Sequence, residues 1–436
     1  MSRVIATHAV AWVLRLIAWT IAGWLLGWPG VLLLCTAGAL TYVAAVFIEP
    51  RRTTPVAAMA LALTVALLVA LLGATLLWPD RARLLLPIGV GVFVCHAVAY
   101  LVDVHRGKAS TSRLTPALAY MVQLPVFPVG PLSRFHDFAA QWDHGDVSIG
   151  GFSYGVRRVV TGAIKIYLFA VPLGATADQI FALRVTRLSI DTAWLGAVCA
   201  ALEAYYYVSG FSDVGIGVGK MIGFRYQENF RRPFTADSVR EYWRRWNVTL
   251  ITWLRDYAAL PIAGHERATM RGYLLTVAGF LVVGAWQRPG WHVLPWAVYF
   301  GSWLALETAF LGAHIERLPR VLRHAYVLLV ILAGWLLLHV SGPGHLLGYL
   351  EAMVGSAIRP FGEARTYLTA WFTTALACAV FLAGPMIGNV SRWRVSVDAA
   401  VASLIMMFAA TAVLLWHVLA PIRRLFTSDP VQKHGR

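Results

Sequence analysis

SGFSDVGIGVGKMIGFRYQENFRRPF (residues 209–234) is followed almost at once by EYWRRWNVTLITWLRDYAALPIAG (241–264). From Lys220 to Arg271 the chain carries ten Lys or Arg and five Asp or Glu, although only 13% of the whole sequence is charged. Aromatic and apolar residues are threaded between these charges. Charge held beside apolar spans marks a site or a polar pathway. A plain cytoplasmic loop with an excess of arginines would not need that aromatic interleaving.

The rest of the chain explains why this stretch stands out. Of 436 residues, 59% are hydrophobic, and the mean hydropathy is +0.65. A soluble domain is about 45–50% apolar and about 25% charged. The composition therefore describes a polytopic membrane protein. Eighteen Trp and sixteen Tyr suit the two interfacial belts. The net charge of +16 sits in short segments between apolar runs, which points to cytoplasmic loops and anionic headgroups and not to nucleic acid. Cys35, Cys95, Cys199 and Cys378 lie inside apolar runs without disulfide or metal spacing, so no disulfide framework and no metal site are expected. Arg3 and Arg15 precede no small-residue cleavage site, and the N-terminal region reads as retained spans.

A membrane helix needs about 20 apolar residues. On that rule, spans are expected near 6–26, 29–48, 55–78, 84–104, 156–175, 190–209, 272–287, 293–312, 324–341, 367–387 and 396–420, about eleven in all. Three segments, 115–135, 210–262 and 343–358, are too short or too polar to cross simply. They read as re-entrant or interfacial helices, which persist at membrane depth only when buried in protein or lining a cavity. The expected division is N-terminal helices in 1–110, a core in 111–358, and C-terminal helices with a basic tail in 359–436.

Ser238-Val-Arg-Glu241 is a capping box, which predicts a helix starting near Val239. Read as one helix through Tyr257, it places Trp243, Asn247, Leu250 and Leu254 on one face. Glu241 and Arg245 form an i,i+4 pair on another. Asn247 then lies on an apolar face and needs partners, either a neighbouring helix or a substrate.

Several ordered blocks resemble the membrane-bound O-acyltransferase family, in the bacterial branch that modifies alginate and teichoic acid. They are FPVGPLSRFHDF (127–138), GVRRVVTGAIK (155–165), YYYVSGFSDVGIGVGKMIGFRYQENFRRPF (205–234), EYWRRWNVTLITWLRDYAALPIAG (241–264) and AGWLLLHVSGPGHLLGYLEAMVG (333–355). The resemblance implies an all-α polytopic fold whose re-entrant helices surround a central tunnel. It also implies acyl transfer from a cytoplasmic thioester to a hydroxyl acceptor, with a tunnel histidine as general base. A histidine suits that role because its pKa of about 6.5 lets it take a proton near neutrality. The implied donor is acyl-CoA or an acyl carrier protein, with no bound cofactor. The implied surroundings are the bilayer of a bacterial cytoplasmic membrane, with an extracytoplasmic acyltransferase as partner. The matching positions make Trp243, Arg244, Arg245, Arg255, Asp256, Ser209, Asp213 and Tyr207 the expected substrate-binding set.

The departures fall on the chemistry. Tyr207 stands where the family has an aspartate, and Asn247 where WRRWH has its histidine. Counting without gaps from PIAG (261–264), with RGYL (271–274) in register, places the family's GLWH on GAWQ (284–287). Gln287 then occupies the position of the base, and an amide cannot take a proton at useful pH. A second register inserts about five residues, QRPGW, and puts the base at His292 within Trp291–Trp296. The distance to Gly301 favours such an insertion, while Pro289, Gly290 and Pro295 disturb the helix around it. The candidate catalytic residues are therefore His292, Gln287 and Asn247. His136, His265 and His345 read as structural, as does His339, which stands where the family has an arginine. His96 beside Cys95 is too few ligands for zinc. Three readings remain: an active acyltransferase, a non-acylating scaffold, channel or binding protein that keeps the tunnel without the base, and an enzyme that uses the tunnel for altered chemistry on a specialised metabolite.

Overall fold

A computed structural model describes residues 28–77, 90–126, 129–144, 147–258, 269–287, 290–355 and 363–384. Regular structure among them is entirely helical. The helices are α1 (Trp28–Ile48), α2 (Pro55–Leu77), α3 (Val90–His105), α4 (Leu114–Met121), α5 (Phe135–His144), α6 (Ile149–Ile164), α7 (Val171–Phe181) and α8 (Ile190–Met221). They continue as α9 (Val239–Arg245), α10 (Val248–Tyr257), α11 (Met270–Gln287), α12 (Val293–Leu306), α13 (Gly312–Arg317), α14 (Arg320–Leu337), α15 (Pro343–Val354) and α16 (Ala370–Ala383).

Among the described residues, three helical stretches are long and apolar enough to cross a membrane: Val31–Arg51, Ile149–Phe181 and Arg320–Leu337. Shorter apolar helices cover Pro55–Ala70, Val90–His105, Met270–Ala285 and Ala370–Ala383. Leu32, Leu40, Met59, Leu63 and Leu67 on α1 and α2 are all more than 60% exposed, which suits lipid and not water. The expected spans at 6–26 and 396–420, and the PIAG turn, lie outside the described residues.

α8 is the axis of the core. It packs against α6, α7, α14, α15 and α16. The predicted span 190–209 proves to be only its first part, because the helix runs on through residues 210–221, which the sequence assigns to a re-entrant segment. Glycines make its closest contact possible. Gly155 and Gly162 on α6, seven residues apart, face Gly217 and Gly210 on α8, also seven apart. A Cβ on Gly162 would lie 2.5 Å from the Gly210 carbonyl oxygen, and one on Gly155 would lie 2.5 Å from that of Gly217. Only glycine lets two helix backbones approach this closely, as in small-residue interfaces of membrane helices.

α6 and α7 form one long rod joined by a π-helical turn at Lys165–Ala170. Pro172 has no N–H to continue the α pattern, and the turn before it widens. Two apolar clusters fill the interior. One surrounds α1 to α5, the other α7 to α16, and Tyr226 and Trp253 pack against both. The Trp253 indole N–H donates to the Cys95 carbonyl at 3.0 Å, tying α10 to α3.

Half of the capping box forms as predicted: the Ser238 hydroxyl accepts from the Glu241 N–H at 3.0 Å, while the Glu241 carboxylate accepts from the Asp237 N–H at 2.8 Å in place of that of Ser238. The Glu241–Arg245 pair also forms. The single helix through Tyr257 does not. It breaks at Trp246–Asn247, and Asn247 adopts a left-handed backbone with φ 43°. The cause is the preceding loop. The Val248 N–H donates to the Asn229 carbonyl at 2.9 Å, and the Arg231 N–H to the Arg245 carbonyl at 2.9 Å. The Asn229 side chain also accepts from the Thr249 hydroxyl at 2.8 Å. These bonds take groups a continuous helix would use, and Asn tolerates the left-handed turn better than most residues.

Candidate functional site

A cavity of about 500 Å³ opens beside the middle of α8. Its wall includes Gly174 and Asp178 from α7, and Glu203, Ala204, Tyr207 and Val208 from α8. Gln287 closes it at the end of α11, Trp335 and Leu338 at the end of α14, with His339 just beyond and Val129 from the preceding loop. The wall therefore mixes apolar surface with two carboxyls, an imidazole, a phenol and an amide. Such a few polar groups in an apolar recess is the usual make-up of a small-molecule site.

Behind Trp335 lies a block of aromatic rings. Trp335 is 4.9 Å from Trp246 and 6.0 Å from Trp296, centroid to centroid, and its N–H donates to the Tyr242 hydroxyl at 3.0 Å. Trp243 is fully buried, 4.7 Å from Phe280 and 4.9 Å from Phe300. The substrate-contact expectation for Trp243 meets a residue built into this core. Its indole N–H, like those of Trp246 and Trp296, has no hydrogen-bond partner among the described residues.

The three catalytic candidates separate. Gln287 and Tyr207 both line the cavity. His292 is not among its lining residues. It sits at the start of α12, its ring folded over Gly290 and edge-on to Trp291 at 6.1 Å. Asn247 is buried at the α9–α10 break, and its side-chain oxygen has no hydrogen-bond partner among the described residues. The cavity wall thus holds the amide and not the His292 imidazole.

The remaining expected residues form two further groups. Ser209 is buried, and its hydroxyl has no partner among the described residues. Asp213, about 15 Å along the α8 axis from Glu203, is buried between two cations. Its carboxylate accepts from Arg158 at 2.7 and 2.9 Å and from Lys165 at 2.7 Å. Arg158 also pairs with Glu228. Arg158 and Lys165 are seven residues apart, two turns of the same rod, so both reach one face.

Around α10 the charges lie nearer the surface, with Arg255 exposed and Asp256 half-buried. Asp256 pairs with Arg134 and with Arg255 at 2.9 Å, and its carbonyl accepts from Arg106 at 2.9 Å. Burial pushes the Asp256 carboxyl up, but hydrogen bonds and charge from Arg255 and Arg134 outweigh it and hold the group below the usual carboxylate range. Arg245 is held by Glu241 and the Thr235 hydroxyl, and Arg244 is exposed. Two smaller cavities, about 240 and 80 Å³, share Ser133 and Gln227 in this region.

Sequence reasoning passed over Asp178 and Glu203 and gave His339 no catalytic role. A signal existed: Glu203 is the one carboxylate in the interior of the apolar run, between Thr192 and Ser209, and ionisable residues in such runs mark functional positions.

With this geometry in view, the class is clear. The profile of the membrane-bound O-acyltransferase (MBOAT) family matches residues 55–311, and the chain belongs to that family. It is a membrane protein. Similar proteins include a probable alginate O-acetylase AlgI of Azotobacter vinelandii, 35% identical over 256 residues, covering 58% of this chain and 51% of that protein. A peptidoglycan O-acetyltransferase of Helicobacter pylori is 23% identical over 314 residues, covering 63% and 58%. A teichoic acid D-alanyltransferase of Streptococcus thermophilus is 21% identical over 239 residues, covering 51% and 57%. The chain spans about half the length of the curated relatives it matches.

Proposed function

We propose that this chain is a multi-pass protein of a bacterial cytoplasmic membrane that moves a small acyl group, such as acetyl, from a thioester donor to a hydroxyl. The donor class is acyl-CoA or a loaded acyl carrier protein. The acceptor class is a polysaccharide, another envelope polymer or a metabolite, reached directly or through an extracytoplasmic transferase. The observation that carries the reading is the cavity beside the middle of α8, walled by Trp335, Val208 and Leu338 together with Tyr207, Gln287 and His339. Its apolar wall suits an acyl chain and a water-poor reaction, and its polar groups suit a hydroxyl.

Within this reading Gln287 is a hydrogen-bonding group. It can donate to the thioester or ester carbonyl and stabilise the charge that develops there. Arg244, Arg245 and Arg255 supply positive charge that suits the phosphates of the donor.

The test uses membrane vesicles from cells expressing the full chain, supplied with radiolabelled acetyl-CoA or acetylated acyl carrier protein. Label in an alkali-labile ester on envelope polymer, above vesicles lacking the chain, is the expected result. No label from either donor would overturn the reading and leave a protein that binds without acylating.

A further inference from the structure

We propose that His339 is the general base of this cavity, placed on the wall contributed by α14 and not at the end of α11. The inference rests on the acyl-transfer reading above and deepens it. Gln287 and His339 line the same space, but only the imidazole can take up and return a proton near neutral pH. His339 Nδ1 lies 3.0 Å from the Trp335 carbonyl oxygen. A carbonyl only accepts, so Nδ1 carries the hydrogen and Nε2 is the basic nitrogen of the neutral ring. The ring is further set by Phe181, whose centroid is 5.2 Å away, and Phe181 in turn stacks on Tyr349 at 4.7 Å. An orienting bond on one nitrogen and a base on the other is the arrangement a catalytic histidine needs.

The titratable groups facing the same space are Asp178 from α7 and Glu203 and Tyr207 from α8. The step balances as a transesterification. Nε2 takes the acceptor hydroxyl proton as the oxygen bonds to the thioester carbonyl carbon. The tetrahedral intermediate collapses, the C–S bond breaks, and the same proton passes from Nε2 to the departing thiolate. Ester and thiol leave, and the ring returns to neutral.

The experiment compares wild type, His339→Asn and His339→Gly in the vesicle assay with labelled acetyl-CoA. The Asn amide can keep the bond to the Trp335 carbonyl while removing the basic nitrogen. Expected is a rate roughly 10²–10⁴-fold lower, with KM for acetyl-CoA and thermal stability unchanged. The acid limb of the wild-type pH–rate profile should vanish in His339→Asn. Added imidazole should restore transfer in His339→Gly saturably, and this readout holds even if one variant folds less well. Wild-type transfer with His339→Asn at full rate and an unchanged pH profile would overturn the assignment while leaving the acyl-transfer reading intact. A wild type that transfers nothing would overturn both.

Discussion

Replacing Asp213 by Asn should destabilise the protein by removing the one anion shared by Arg158 and Lys165. The Asp213 side chain is 6% exposed, Arg158 is 21% and Lys165 is 22%. Breaking a fully buried pair costs about 3–5 kcal/mol, most of it the charge left uncompensated. Arg158 keeps Glu228, which is 49% exposed, so Lys165 is the stranded cation. Its partial exposure and the retained pair lower the expected loss to roughly 2–4 kcal/mol. At about 2.1 cal/mol/K of unfolding entropy per residue, that is on the order of 2–4 °C in melting temperature for a chain of this size. The assay is thermal unfolding of the purified full chain in detergent, followed by far-ultraviolet circular dichroism. A second variant isolates the cause: adding Lys165→Met to Asp213→Asn removes the stranded charge and should recover at least half the loss. An Asp213→Asn protein melting within about 1 °C of wild type would refute the reasoning, as would a double variant no more stable than the single.

Gly162→Leu should separate α6 from α8, since even a Cβ there meets the Gly210 carbonyl at 2.5 Å. Overpacking of this kind costs about 1–3 kcal/mol, and melting in detergent checks it. Glu307→Ala should loosen the start of α9. Its buried carboxylate accepts from the Val239 and Arg240 N–H groups at 2.7 and 2.9 Å and from the Tyr326 hydroxyl at 3.0 Å, so roughly 3 kcal/mol is at stake, visible as faster proteolysis at 235–246. Asn247→Gly should fold as well as wild type, whereas Asn247→Val should lose about 2 kcal/mol because a β-branched residue resists φ 43°. Equal melting temperatures for the two would contradict the left-handed turn.

The helical class was legible because apolar runs near 20 residues have few structural alternatives in a bilayer. The capping box at Ser238 was legible because it is local. The break at Asn247 was not, since it is imposed by Asn229 and Arg231 from the preceding loop, and no periodicity within 239–257 reports it. Tyr207 and Gln287 could be singled out by motif position, yet their meeting at one cavity depends on the end of α11 arriving beside the middle of α8 in three dimensions. His339, Glu203 and Asp178 illustrate the converse. Each looks incidental along the chain, and only the convergence of α7, α8 and α14 gives them a shared space. The ordered register between Gln287 and His292 could not be fixed by counting, and three-dimensional placement puts the amide on the cavity wall.

The central claim is that the cavity beside α8 receives the acyl group. Photolabelling tests it most directly. A short acyl-CoA analogue carrying a diazirine on the acyl chain would be photolysed with the full chain in membranes, and labelled peptides mapped by mass spectrometry. The account predicts adducts on residues 203–208 and 335–339, competed by acetyl-CoA. Competed adducts confined to other parts of the chain, with none on these two segments, would contradict it.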